Sequence, residues 1–283
     1  MKRIFMIVVF FLGVVGATMA QDAAQLINDA NAALKAKDYA KAYGLYSKAM
    51  SNPGDMKVDN AINYNIGLAA LNSKNYDAAV TYFDKAIAAK VNVGESQQFK
   101  GDALAKQNKY AAAVTAYKAA ISAGVKNKGK IYFNAAIVAY KGKKYAEASD
   151  LFGQAAAANY NGGTAYYYKA VALNKLGKTD EFKTTLEEGL KKYPNSPKLK
   201  NGLADIYVRE GNSLYQQGAK IVAAANAKVK SKQLKTTSPA YKAQIAKSSS
   251  KFKAALDVLQ KAKAVDPTNQ NANKLIEACK SVL

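Results

Sequence analysis

The sequence has 283 residues, of which 42 are basic and 20 acidic, so its formal net charge is +22; it contains no histidine and a single cysteine, Cys279. The missing histidine removes the commonest general base and zinc ligand, and one cysteine provides neither an intrachain disulfide nor a metal cluster. We therefore expect no catalytic residue, cofactor or metal. Nearly all the basic residues are lysine and not arginine, so we expect no nucleic-acid partner either.

Residues 1–20 have the layout of a secretory signal peptide. The basic pair KR at 2–3 precedes an apolar run over 4–15, and the small residues of GATMA (16–20) come directly before Gln21. We expect cleavage after residue 20. The alternative is an uncleaved membrane anchor, but the run is shorter than the roughly 20 residues that a span requires. The mature chain would be exported, without a transmembrane span, to the periplasm, the outer membrane or the medium.

Residues 21–196 repeat one pattern. The segments DYAKAYGLYSKAM (38–50), NYDAAVTYFDKAI (75–87), KYAAAVTAYKAAI (109–121) and KYAEASDLFGQAA (144–156) each place a tyrosine three residues before an alanine. These alanines follow one another at steps of 37, 34 and 35 residues, and a further step of 34 reaches Phe182 in a fifth, looser copy. A period near 34 residues predicts antiparallel helix pairs that stack, because one pair alone cannot bury its apolar face.

Each unit is predicted to supply two amphipathic helices. In the return helix of the second unit, Ala79, Phe83 and Ala86 are spaced by four and then three residues, which places them on one face. One aromatic recurs at the same place in the first four units and is expected to fill the gap against the next unit. These aromatics are Tyr46, Phe83, Tyr117 and Phe152.

These residues resemble the tetratricopeptide repeat (TPR) family, which has a small residue at the eighth place of the first helix and alanine at the twenty-seventh place. The eighth place is held by Ala30, Gly67, Gly101, Ala136 and Ala170, and the twenty-seventh by Ala49, Ala86, Ala120 and Ala155. Pro194 fills the family's thirty-second place in the fifth unit, whereas the tryptophan favoured at the fourth place is absent. The resemblance implies an all-α fold, an α-solenoid of about five TPR helix pairs over 21–196, of an exported bacterial cell-envelope type.

Residues 197–283 depart from the repeat. A sixth, degenerate repeat begins with KLKNGLADIYVRE (198–210), and the segments on both sides of TTSP (236–239) are longer than repeat helices. We expect an elongated helical hairpin that turns near Ser238 and Pro239, followed by a capping helix over 269–283. Cys279 on this last helix is expected to be a buried small side chain.

The hairpin carries nine lysines and no acidic residue between Gly211 and Leu256. One interpretation is a solvated, exposed hairpin. The other is a positive surface for a polyanion such as an anionic cell-wall polymer or lipopolysaccharide. The candidate polyanion-binding residues are Lys228, Lys230, Lys232, Lys235, Lys242 and Lys247.

The resemblance also implies a concave face, lined by the second, fifth, ninth, twelfth and thirteenth places of the first helices. The candidate partner-binding residues there are Tyr64, Leu68, Lys106, Phe133, Tyr140, Lys141, Tyr167 and Lys175, with Gln98 and Asp102 making the third unit more polar. Such a face could hold a peptide, with aromatics supplying buried area and lysines attracting carboxylates. The alternatives are lateral packing, occupation by the terminal helix of the same chain, and lysines placed to stabilise helix C-termini.

The leading functional prediction is a non-enzymatic protein–protein interaction scaffold of the cell envelope that binds a peptide or protein partner within a larger assembly. The alternative is a polyanion- or cell-wall-binding surface protein that uses the lysine-rich hairpin, with the repeats serving as a spacer.

Overall fold

The computed structural model describes residues 22–54 and 57–283, so the proposed signal peptide lies outside the described residues. Within these ranges all regular structure is α-helical, which confirms the all-α prediction. The helices are α1 (22–35), α2 (Tyr39–Ser51), α3 (Ile62–Asn72), α4 (Tyr76–Ala88), α5 (Val93–Lys106), α6 (Tyr110–Ser122), α7 (Lys128–Lys141), α8 (Tyr145–Ala157), α9 (Gly162–Lys175), α10 (Thr179–Lys192), α11 (Pro197–Lys230), α12 (Pro239–Val265) and α13 (Gln270–Ser281).

The chain forms two compact units, one that ends at Ala158 and one that begins at Asn159. In the first unit α1 to α8 form four helix pairs, and the second helix of each of the first three pairs packs against the first helix of the following pair. In the second unit α9 and α10 form a fifth pair, which packs on α11, and α11 and α12 pair along their length, with α13 against both. None of the described helices combines the length and the apolarity needed to cross a membrane.

The turn inside each pair has a fixed backbone conformation. Its middle residue has a left-handed φ of 59° to 76°, which reverses the chain within a few residues. The residues at this place are Lys37, Lys74, Asn108, Lys143 and Gly177.

The recurring aromatic of each return helix is buried against a small residue of its own pair. A Cβ on Gly67 would lie 2.7 Å from the Phe83 ring, and one on Gly101 would lie 2.9 Å from the Tyr117 ring. The Phe83 ring also stacks on Phe99 of α5, with centroids 5.9 Å apart. The aromatic therefore closes its own pair as well as the predicted gap against the next one.

The predicted C-terminal hairpin is present, and its helices are longer than those of any repeat pair. The start of the sixth repeat and the first arm of the hairpin are one continuous helix, α11, of 34 residues. The 27-residue α12 begins at Pro239, and the Ser238 hydroxyl caps it by accepting a hydrogen bond from the Tyr241 N–H at 3.2 Å. Cys279 of α13 is buried, as expected, and it packs in a cluster with Leu259.

Candidate functional site

The candidate residues of α3 form the edge of an aromatic cluster. The Tyr64 ring lies 6.3 Å from both the Phe83 and the Phe99 rings, centroid to centroid, and Leu68 packs against the same cluster. Tyr64, Leu68 and Phe99 are all half-buried. Consecutive first helices therefore present one partly exposed apolar surface, which we call the aromatic edge (Tyr64, Leu68 and Phe99).

Phe99 was not among the predicted site residues. It occupies the sixth place of its first helix, where three other units have asparagine: Asn28, Asn65 and Asn134. An aromatic at a place that three other repeats fill with asparagine was a usable signal. In the fifth repeat the same place holds Tyr168, a second aromatic.

The ninth place of the first helix receives a hydrogen bond when the return helix carries tyrosine. The Tyr46 hydroxyl donates to Asn31 Oδ1 at 2.6 Å, and the Tyr117 hydroxyl donates to Asp102 Oδ1 at 2.5 Å. Where the return helix carries phenylalanine, the ninth place is apolar, as in Leu68 opposite Phe83. The polar character predicted for the third unit is thus largely an internal pairing.

Burial dominates the electrostatics of this pairing. It raises the pKa of the Asp102 carboxyl, while the Tyr117 hydroxyl and the charges of Lys130 and Lys106 act in the opposite direction. Burial also raises the pKa of the Tyr117 hydroxyl, and the negative charge of Asp102 adds to that increase. The Tyr46 hydroxyl, which faces a neutral asparagine, has its pKa raised by burial to about 12.

The candidate residues of α7 are also half-buried aromatics. The Phe133 ring meets the Phe152 ring edge-on at a centroid distance of 5.4 Å, and the Tyr140 ring meets the Tyr145 ring in the same way at 5.2 Å. Phe133 and Tyr140 are thereby oriented by the return helix of their own pair, α8. Lys141 is exposed at the end of α7.

In the compact unit that begins at Asn159, the candidate aromatic residue is also half-buried. Tyr167 is half-buried in a cluster with Leu186 and Leu203, and its ring packs beside Gly202 of α11. Its neighbour Tyr168 contacts it at 5.4 Å between ring centroids and has the Lys198 ammonium 4.9 Å from its own centroid.

The candidate lysines of the concave face have a simple backbone explanation. Lys106, Lys141 and Lys175 are the last residues of α5, α7 and α9, and all three are exposed. A cation there stabilises the partial negative charge of the helix C-terminus. This role is compatible with attraction of a carboxylate and does not require it.

The six candidate polyanion-binding lysines are all exposed, and they divide into two groups. Lys228 and Lys247 line a groove between α11 and α12, together with Lys220 and Lys251, which were not among the candidates. Lys230, Lys232, Lys235 and Lys242 lie outside the groove lining. Within the described residues, no group of three or more His, Cys, Asp or Glu side chains is arranged to hold a metal ion.

Two family models match the sequence. One, described as a tetratricopeptide repeat-like domain, matches residues 11–141, and the other, described as a tetratricopeptide repeat, matches residues 139–206. Together the two matches extend over well more than half of the chain. No curated protein sequence matches it significantly.

Solved structures with the same type of fold cover nearly the whole chain. A TPR repeats protein from Bacteroides fragilis is 22% identical, with 93% of this chain and 99% of that chain covered and a TM-score of 0.39. The C-terminal part of a TPR repeat-containing protein from Cytophaga hutchinsonii is 15% identical, with 94% and 92% covered and a TM-score of 0.51. A tetratricopeptide repeat protein from Parabacteroides merdae is 14% identical, with 92% and 99% covered and a TM-score of 0.50. At these identities the last two likenesses support the fold and nothing finer.

Proposed function

Because the chain is a tetratricopeptide repeat protein, and the domains of this family bind protein partners, we propose that it is a non-enzymatic scaffold of the cell envelope. The proposed binding surface is the aromatic edge on α3 and α5, extended along α7 by Phe133 and Tyr140. The partner is a peptide or a protein segment, held as part of a larger assembly.

The observation that carries this proposal is the partial exposure of the aromatic edge. Tyr64, Leu68 and Phe99 keep part of their surface accessible although their rings and methyl groups are fixed by packing against α4. Fixed aromatic side chains lose little conformational entropy on binding, so they are suited to anchor the apolar side chains of a partner. Lys106 and Lys141 at the helix ends would attract the carboxylates of the same partner.

The envelope location is supported by the sequence of residues 1–20, which resembles a signal peptide. We expect the mature protein to begin at Gln21. Mass spectrometry of the N-terminal peptide, purified from the envelope fraction of cells that produce the protein, measures this directly. An N-terminal peptide that still contains the apolar run would contradict the export proposal.

Photo-crosslinking tests the binding surface. A photo-reactive phenylalanine analogue is introduced at Leu68 or at Lys141, and the matched control carries it at Thr81 or Thr115 on the return helices, where both side chains are exposed. We expect the first two positions to capture one discrete protein species in producing cells and the control positions to capture none.

The captured species then provides the quantitative assay. The combined changes Tyr64→Ala, Phe133→Ala and Tyr140→Ala should weaken its binding at least about a hundredfold, because each removed anchor contributes on the order of 1–2 kcal/mol. Circular dichroism confirms that the variant remains helical. Equal crosslinking at all four positions, or unchanged affinity in a helical triple variant, would overturn the proposed surface.

A further inference from the structure

A groove with a volume of about 620 Å³ lies between α11 and α12, in the outer half of the hairpin. Its lining includes the apolar side chains of Ile221, Ala224 and Leu234, which we call the apolar floor. Four lysines line it as well: Lys220, Lys228, Lys247 and Lys251. The volume falls within the range of small-molecule sites, about 300–1,000 Å³.

Small side chains line part of this groove, and two hydrogen bonds join the helices that form it. Ala224 and Ala240 line it, whereas closer to the base the Phe252 ring fills the space beside Gly218. The Ser248 hydroxyl donates to the Gly218 carbonyl oxygen at 2.9 Å, and the Tyr241 hydroxyl donates to Asn226 Oδ1 at 2.9 Å. These two contacts fix the register of α11 and α12 at two levels along the groove, so the groove exists before any ligand binds.

The register also determines where the lysines lie along the groove. Since Gly218 is level with Ser248, the side chains of Lys220, Lys247 and Lys251 belong to the end nearer the base of the hairpin. Lys228 belongs to the end nearer the tip, because it follows Asn226, which is level with Tyr241. Three cations therefore gather at one end of an apolar floor.

No carboxylate neutralises these cations. None of the nine lysines between residues 211 and 256 forms an ion pair with any acidic side chain in the described part of the chain. The nearest acids in sequence are Glu210 and Asp257, and Glu210 is paired with Lys183 at 3.0 Å. Like charges held this way repel one another, and an anion bound among them would remove that repulsion.

We propose that this groove binds a single anionic amphiphile, a molecule with a phosphate or carboxylate head and an alkyl chain. The head lies among Lys220, Lys247 and Lys251, and the chain covers the floor of Ile221, Ala224 and Leu234. A hydrophilic polyanion would gain nothing from the apolar floor, and an uncharged alkyl chain would gain nothing from the lysines. Charge and apolar surface in one groove favour a ligand that has both.

Three probes separate the contribution of the charged head from that of the alkyl chain. Each is titrated into the protein by calorimetry, at concentrations below its critical micelle concentration. Dodecyl phosphate supplies head and chain, inorganic phosphate the head alone, and dodecyl maltoside the chain with an uncharged head. We expect dodecyl phosphate to bind at least tenfold more tightly than either of the other two.

Two matched triple variants locate the site. Lys220→Gln, Lys247→Gln and Lys251→Gln together should lower the affinity for dodecyl phosphate at least tenfold. The control, Lys230→Gln, Lys232→Gln and Lys253→Gln together, removes the same charge outside the groove lining and should leave the affinity within about twofold. Ala224→Trp, at an exposed floor position, should block the alkyl chain and abolish the advantage of dodecyl phosphate over inorganic phosphate.

Several results would overturn the proposal. Equal losses in the two triple variants would show attraction to net charge alone. Equal affinity for inorganic and dodecyl phosphate would show that the floor is unused. Binding to phosphatidylglycerol vesicles without binding to dodecyl phosphate would identify a membrane surface as the ligand. The groove and the aromatic edge share no residue, so each proposal can fail without the other.

Discussion

At the scale of single residues, the left-handed turns between paired helices carry a local cost. Lys37, Lys74 and Lys143 adopt φ values of 60° to 66°, although a side chain with a Cβ is strained there. The equivalent residues of the third and fifth pairs are Asn108 and Gly177, which tolerate this conformation better. The turn geometry is thus the same in five pairs, and only the cost of adopting it differs.

Replacing Lys143 by glycine should therefore stabilise the protein by about 0.5–1 kcal/mol, because the left-handed strain exceeds the extra chain entropy of glycine. Urea unfolding monitored by circular dichroism measures this free energy. Lys143→Ala is the control, since it removes the charge and keeps the Cβ. If Lys143→Ala stabilises as much as Lys143→Gly, the gain comes from the charge and the backbone argument is wrong.

The carboxyl of Asp102 gives the stability a dependence on pH. Its pKa is raised in the folded state by burial, so the folded protein retains a proton at pH values where the unfolded chain, with a carboxyl pKa of about 3.9, has lost it. In that window the folded state binds more protons, and the free energy of unfolding falls as pH rises.

Asp102→Asn should remove this dependence and keep an acceptor for the Tyr117 hydroxyl, as Asn31 does for Tyr46. Relative to the wild type, the variant should gain stability as pH rises from about 3 to about 7. Urea unfolding of both proteins at several pH values measures the difference. The prediction would be contradicted if the difference in unfolding free energy stayed constant over this range, or if it changed in favour of the wild type as pH rises.

At the scale of the helix pair, the ninth place of the first helix and the aromatic of the return helix are matched. Tyrosine meets asparagine or aspartate, as in Tyr46 with Asn31 and Tyr117 with Asp102, and phenylalanine meets leucine, as in Phe83 with Leu68. A buried hydroxyl needs a partner, whereas a buried phenyl ring does not.

A double-mutant cycle tests this matching. Asp102→Leu leaves the Tyr117 hydroxyl without its acceptor and Tyr117→Phe leaves the carboxylate without its donor, so each should cost about 1–3 kcal/mol of unfolding free energy. The double variant recreates the Leu68 and Phe83 arrangement, and its cost should fall below the sum of the single costs by about 1–2 kcal/mol. Additive costs would show that the two side chains do not act as a pair.

The sequence predicted the helix pairs and the hairpin well because both follow from local patterns: a period near 34 residues, and the Ser238 and Pro239 signal at the start of α12. Sequence reasoning missed the features that depend on which side chains of different helices contact one another. The aromatic role of Phe99 was hidden because the family pattern directs attention to other places. Asp102 was assigned to the concave face as a polar residue, and the hydrogen bond that the Tyr117 hydroxyl donates to it was not foreseen. The alignment of Lys220 with Lys247 and Lys251 depends on the hairpin register, which no spacing along the chain reveals.

At the scale of the whole molecule, positive charge dominates. The full sequence carries 42 basic against 20 acidic residues, and only five ion pairs form within the described residues. Such an excess destabilises the folded state through self-repulsion, and salt weakens that repulsion because the screening length shortens from about 30 Å at 0.01 M to about 10 Å at 0.1 M.

The melting temperature should therefore rise between about 10 mM and 300 mM sodium chloride, by roughly 2–4 °C for each kcal/mol of repulsion removed. Thermal unfolding followed by circular dichroism measures this rise. The groove variant with Lys220, Lys247 and Lys251 changed to glutamine should show a smaller rise than the wild type. A melting temperature that falls with salt would mean that attractive ion pairs outweigh the excess charge.

The continuity of α11 has a mechanical consequence for the second unit. The helix packs against α9 and α10 near its beginning and lines the groove near its end. Its 34 residues span about 50 Å at 1.5 Å per residue. One residue inserted after Gly211 would turn everything beyond it by about 100° about the helix axis. The number of α11 residues between the fifth helix pair and the groove therefore sets the direction in which the groove opens. Insertions lengthen the hairpin and preserve this direction only when they add whole helical turns.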